Sequence, residues 1–139
     1  MSAGELPPPL EREIQHQILA RLHLRPDVDA WRQNTGAQLH KERQGRRRRF
    51  IRYSIKGSAD ISGIVRVGPL GVRLEIEVKR PGNRATKEQR AFGARVEAAG
   101  GWWFVARSDQ EVIAELDRRI GLAEGAIEAW KNERRSRRS

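Results

Sequence analysis

Between Leu10 and about His23 the apolar residues Ile14, Ile18, Leu19 and Leu22 recur at the spacing of one helix face. Pro7-Pro8-Pro9 sets up the start of that helix, and Arg25-Pro26-Asp27 ends it. The pattern then shortens. Val28 to about Gln33 predicts a strand closed by Asn34-Thr35-Gly36, Ala37 to Gly45 reads as a polar loop, and Arg48 to Ile55 predicts a second strand. Ile61 to Val67 and Val72 to Lys79 predict two more strands, paired as a hairpin across Gly68-Pro69-Leu70-Gly71. Thr86-Lys87-Glu88-Gln89 fits a capping box that opens a helix to about Ala99, where Gly100-Gly101 stops it. Trp102 to Ala106 is a compact apolar strand. Ser108-Asp109-Gln110-Glu111 is a second capping box, opening a helix through Leu116 towards Ile120. Gly121 and Gly125 weaken the helical pattern past that point, so the remainder is expected as a separate helical stretch fraying into an Arg-rich tail.

The element order is helix, three or four strands, helix, strand, helix. A strand–helix–strand unit over 72–106 calls for a parallel crossover beside an antiparallel hairpin. The fold class this predicts is an α/β sandwich with a small mixed sheet. The expected organisation is a flexible leader over 1–9, a single domain over 10–121, and a C-terminal helix with its Arg-rich tail over 122–139.

Composition narrows the class. The chain has 139 residues, enough for one domain, and 28 Lys and Arg stand against 18 Asp and Glu, a formal net charge of +10. Five of those 28 are lysines (Lys41, Lys56, Lys79, Lys87 and Lys131), so 23 are arginines, whose planar forks match phosphate oxygens. Clusters at Arg46-Arg47-Arg48-Arg49 and at Arg134-Arg135 with Arg137-Arg138 point to a polyanion, nucleic acid above all. With no cysteine, a disulfide scaffold, a thiolate zinc site and a Cys nucleophile are excluded. No apolar run approaches the ~18 residues of a membrane span, and the first residues lack the pattern of a signal peptide. The expectation is a basic protein of the cell interior.

Chemistry concentrates in Glu75-Ile76-Glu77-Val78-Lys79. Alternation along a strand sets Glu75, Glu77 and Lys79 on one face and Leu74, Ile76 and Val78 on the other. Two carboxylates on one side repel unless a positive charge sits between them. Asp60 precedes the partner strand and, across the hairpin, approaches the end of the Glu77 strand. Carboxylates converging with open positions for water are what Mg²⁺ requires. In the first helix Glu11 falls within the buried stripe, with Gln15 beside it and Glu13 on the far side. Gln89 is either the capping-box partner of Thr86 or a site residue. Trp102 and Trp103 are expected to bury one ring on each side of their strand, and Trp130 to cover the core or a dimer interface. His16, His23 and His40 show no ligand spacing.

Taken together, Glu11 with Ile14-Gln15, Asn34-Thr35-Gly36, Gly57-Ser58-Ala59-Asp60-Ile61, Glu77-Val78-Lys79 and Gln89 resemble the VRR-NUC family of the PD-(D/E)xK nuclease superfamily. The resemblance runs from about residue 10 to residue 115. It departs from the pattern at Ala59, where the superfamily has Pro. It implies a restriction-endonuclease-like sandwich of αβββαβα order. It further implies a metal-dependent deoxyribonuclease in which Asp60 and Glu77 hold Mg²⁺ or Mn²⁺, with the Val78 carbonyl and Glu11 as further ligands. Lys79 would orient or activate the attacking water and Gln89 would join the catalytic set. Arg46, Arg47, Arg48, Arg49, Lys56, Arg84 and Lys87 are the expected DNA contacts. Standalone members resemble Holliday-junction resolvases, which implies branched DNA as substrate, a homodimer with two sites, and a repair or recombination role in a bacterial or phage-infected cytoplasm. The competing expectations are a catalytically silent nucleic-acid-binding module and a sequence-specific restriction-type nuclease.

Overall fold

The structure, a computed structural model, describes residues 4–33, 37–41, 48–52 and 56–139. The elements run α1 (Glu11–Leu22), β1 (Val28–Arg32), β2 (Ala37–Lys41), β3 (Arg48–Arg52), β4 (Ile61–Val67), β5 (Leu70–Val78), α2 (Lys87–Ala98), β6 (Trp102–Ala106) and α3 (Asp109–Arg138). Four strands form a mixed sheet in the order β1-β4-β5-β6, and β2 with β3 forms a separate two-stranded sheet. β1, β4 and β5 pair antiparallel, and β5 pairs parallel with β6 after the α2 crossover. The chain thus runs αβββββαβα, with α1, β1, β4, β5, α2, β6 and α3 making up the main sheet and its helices.

Strand alternation divides the interior in two. Leu74, Ile76 and Val78 of β5 and Phe104 and Ala106 of β6 meet Ile14, Ile18 and Leu22 of α1 and Val112 and Leu116 of α3 on one face. Each of the fully buried Leu and Ile side chains contributes about 2 kcal/mol to holding those helices on the sheet. On the other face Phe92 and Val96 of α2 pack with Ala59 and Trp103. Trp102 joins the first cluster, so the two rings do point to opposite sides of β6.

Four expectations change. Ala37–Lys41 is a strand, β2, rather than a loop, and its backbone pairs with β3 in a sheet separate from the main one. The β4–β5 turn is tighter than expected, with β5 beginning at Leu70 and Gly68 taking the positive φ of +58°. α3 is one continuous 30-residue helix that runs through Gly121 and Gly125 instead of giving way to a separate stretch. Nothing lies within 4 Å of where a β-carbon would stand on either glycine, so neither marks a packing contact. Ile120, Ala123 and Ile127 still pack against the core, and beyond them the helix is exposed. Trp130 therefore does not cover this core: it is exposed, with the Arg134 guanidinium 5.0 Å from its ring centroid. The Asn34-Thr35-Gly36 turn, Arg46 and Arg47 lie outside the described residues, and Arg48 and Arg49 begin β3. Among the described residues no helix is long and apolar enough to cross a membrane.

Candidate active site

The antiparallel register opposes Ile61 to Ile76, which carries the preceding residue, Asp60, to the level of Glu77. Two hydrogen bonds fix it there. The Val78 amide N–H donates to Asp60 Oδ2 at 2.8 Å, and the Gln33 N–H at the end of β1 donates to the Asp60 carbonyl at 2.8 Å. The contact that brings Val78 into the site is thus its amide. Gly57, three residues earlier, has φ +82°, and a β-carbon there would run into the backbone of Glu88. The absent side chain lets the loop bearing Asp60 lie against the first turn of α2.

Glu77 points to the α2 side and is 1% exposed. Gln89 Nε2 donates to Glu77 Oε1 at 2.7 Å. The same Gln89 accepts from the Thr86 N–H through Oε1 at 2.8 Å, while its own N–H donates to Thr86 Oγ1 at 3.1 Å. One side chain therefore does both jobs expected as alternatives: it completes the capping box and grips the carboxylate. Glu77 Oε2 is buried and no donor group reaches it, but it lies close enough to the Asp60 carboxyl to share a proton with it. Burial first, then the neighbouring Asp60 carboxylate and the Glu11 charge, push the Glu77 carboxyl up to about 9, against the pull of Lys79. Asp60, Glu11 and Lys79 thus all act on Glu77.

Glu75 takes another course. It shares the face of Glu77 and is also buried, but both oxygens are engaged: Ser62 Oγ donates to Oε2 at 2.7 Å and Arg73 Nε to Oε1 at 2.9 Å. The alternation that placed the two carboxylates together is correct, yet only Glu77 keeps an oxygen that no donor reaches. Lys56 sits 3.8 Å from Glu88, and Arg84 and Lys87 flank the Thr86 cap, so all three stand at the α2 turn that carries Gln89. His23 Nε2 meets the Ala30 carbonyl at 3.1 Å, a structural contact.

Sequence reasoning missed Gly93. A β-carbon on it would enter the Trp103 indole, so this glycine lets α2, and Gln89 with it, lie close on the sheet. The signal was a glycine inside a helical pattern, which marks close packing when it is not a cap.

The donor set fits a divalent cation. A buried carboxylate oxygen that no donor reaches, beside a second carboxylate, is a costly arrangement that a hard cation relieves. Among the described residues no three His, Cys, Asp or Glu side chains form a ready cage. A cation held by Asp60 and Glu77 would therefore fill its remaining positions with water and substrate oxygens, the habit of Mg²⁺. Compared with protein-family models, curated proteins and solved structures, the chain matches none.

Proposed function

We propose that this chain is a divalent-metal-dependent DNA endonuclease of PD-(D/E)xK type, similar to the VRR-NUC family. The observation that carries this is the buried Glu77 Oε2, which no donor reaches, facing Asp60 in a strongly basic domain. A structural carboxylate has its oxygens satisfied, as Glu75 does. A buried oxygen that no donor reaches, turned to a second carboxylate, suits a cation in place of the proton the two would share.

Asp60 and Glu77 would hold Mg²⁺ or Mn²⁺. When bound, such an ion polarises a phosphoryl oxygen and acidifies a coordinated water. Gln89 fixes the Glu77 carboxylate through Oε1 and leaves Oε2 to the site. The Val78 N–H holds Asp60 in place through Oδ2. Lys79 brings a positive charge to the carboxylate pair, where it stabilises charge that develops on phosphate oxygens and orients the attacking water. Glu11, whose charge reaches Glu77 from α1, would accept from a water on that ion.

A domain with no separate recognition module reads DNA through backbone and shape, which favours branched substrates. Cutting a four-way junction on two strands needs two such sites, hence a homodimer. The test is metal-dependent cleavage of a panel of four-way junctions, flaps and linear duplexes by wild type and Asp60→Ala. Wild type cuts branched DNA in Mg²⁺ or Mn²⁺ and not in EDTA, while Asp60→Ala binds without cutting. A protein that binds DNA and leaves every substrate intact is a silent binding module. One fixed cut on plain duplex identifies a restriction-type enzyme.

A further inference from the structure

A cleft of about 510 Å³ opens on the outer side of α1, lined by Arg12, Gln15, His16 and Leu19 and closed by Arg32 from the end of β1. The chain reverses between α1 and β1, so the last residue of the strand returns to the first turns of the helix. Ala30 faces the α1 core, and alternation sends Arg32 to the same side.

Two features bear on what this cleft could hold. Among the described residues Arg12 and Arg32 have no carboxylate partner, whereas Arg25 is held by Asp27 and Asp117, and Arg119 by Glu115 and Glu97. The acidic residue of the cleft, Glu13, is drawn back to the helix start by the Leu10 N–H at 3.2 Å. The second feature is position. Arg12 follows Glu11, whose charge acts on Glu77, and Arg32 precedes Gln33, whose N–H is bonded to the Asp60 carbonyl. Each arginine is thus the chain neighbour of a residue that reaches the carboxylate centre, on its α1 side.

We propose that the α1–β1 cleft binds the sugar–phosphate backbone next to the phosphate that is cut, with Arg12 and Arg32 each forking onto a phosphate and Gln15 and His16 available to the sugar edge. This rests on the nuclease reading for where the cut lies, and the cleft's own role is read by binding alone. Among the described residues Arg12 and Arg32 are not taken up by ion pairs within the protein. They suit a polyanion that has to approach that negative centre.

The experiment measures affinity of the whole chain for a single-stranded and a duplex DNA of the same sequence, over a salt series, with Ca²⁺ replacing Mg²⁺. R12Q/R32Q is expected to weaken binding roughly tenfold and to flatten the slope of log affinity against log salt by about 2 on duplex, or about 1.4 on single strands. Whichever DNA shows the loss identifies the strand state that the cleft holds. R12K/R32K retains the slope. R95Q, an exposed arginine in the last turn of α2, changes neither quantity. Unchanged affinity and slope in R12Q/R32Q would overturn the proposal, as would an equal loss per charge in R95Q or a wild type that binds neither DNA. If DNA is bound through Arg12 and Arg32 but never cut, the nuclease reading fails and the cleft stands. If DNA is cut and R12Q/R32Q binds as wild type, the cleft alone fails.

Discussion

Substituting Gln89→Glu retains the acceptor that caps α2 at the Thr86 N–H and removes the donor that serves Glu77 Oε1. The new carboxylate would stand where Nε2 now lies 2.7 Å from Glu77, itself pressed by Asp60 and Glu11. At pH 5 the missing hydrogen bond costs about 1 kcal/mol. At pH 8 the new carboxylate ionises beside a Glu77 that is still mostly protonated and near the charges of Asp60 and Glu11, and that crowding must be tolerated or neutralised. A shift of about 1.5 pKa units in this cluster raises the loss to about 3 kcal/mol, close to a 10 °C fall in melting temperature for a domain of this size. The wild type sets the sign. Because the Glu77 carboxyl is raised from 4.5 to about 9, the folded state keeps a proton that the unfolded state has released. Its contribution to stability is therefore full below about pH 4.5 and declines as pH rises to about 9. Gln89→Glu steepens that decline, and excess Mg²⁺ narrows the gap from wild type at pH 8. Thermal melts of both proteins from pH 5 to pH 8, with and without Mg²⁺, provide the assay. A Gln89→Glu loss that is the same at every pH, or larger at pH 5, would refute the linkage between Gln89 and the carboxylate pair.

Three further substitutions separate roles. Lys79→Met is expected to lower single-turnover DNA cleavage about 10²-fold or more while changing DNA affinity in Ca²⁺ less than roughly tenfold, because its charge is needed at the reacting phosphate; equal losses in both would make it a simple DNA contact. Glu75→Gln loses the ion pair with Arg73 but can still accept from Ser62, so cleavage stays within about threefold of wild type and only stability falls, by about 1 kcal/mol. Gly93→Ala pushes a methyl group into the Trp103 ring and lowers unfolding free energy by about 2 kcal/mol in denaturant titration, despite the roughly 1 kcal/mol that Ala gains over Gly in a helix; a stabilised variant contradicts that close contact.

The parts of the fold legible from the chain are those in which local pattern and tertiary burial agree. Ile14, Ile18 and Leu22 mark α1 because the same spacing that forms the helix face packs it on the sheet. Leu74, Ile76 and Val78 mark β5 for the same reason. β2 escaped because the alternation in Ala37-Gln38-Leu39-His40-Lys41 is short and rests on only two apolar residues, Ala37 and Leu39. The length of α3 escaped because helix propensity ranks glycine low. Gly121 and Gly125 lie among Leu, Ala, Ile and Glu, whose preferences outweigh two unfavourable positions. At the site, the approach of Asp60 to Glu77 was legible from hairpin register, and their reading as a metal pair came with the resemblance. The difference between Glu75 and Glu77 was not. It depends on which cross-strand and helix neighbours reach each carboxylate: Ser62 through register, Gln89 through the fold of α2 back onto β5. Arg12 and Arg32, far apart in the chain, are brought together only by the return of β1 along α1.

Titration of the protein with Mn²⁺ by calorimetry near pH 7, in two buffers of different ionisation enthalpy, goes straight to whether Asp60 and Glu77 hold a cation. Wild type is expected to bind the ion and give up about one proton as it does so, because the Glu77 carboxyl, raised to about 9, must lose its proton to become a ligand. Glu77→Gln removes both the tight site and the released proton. Mn²⁺ binding of equal strength in Glu77→Gln, or binding to wild type with no proton released, would contradict a cation site built on these two carboxylates.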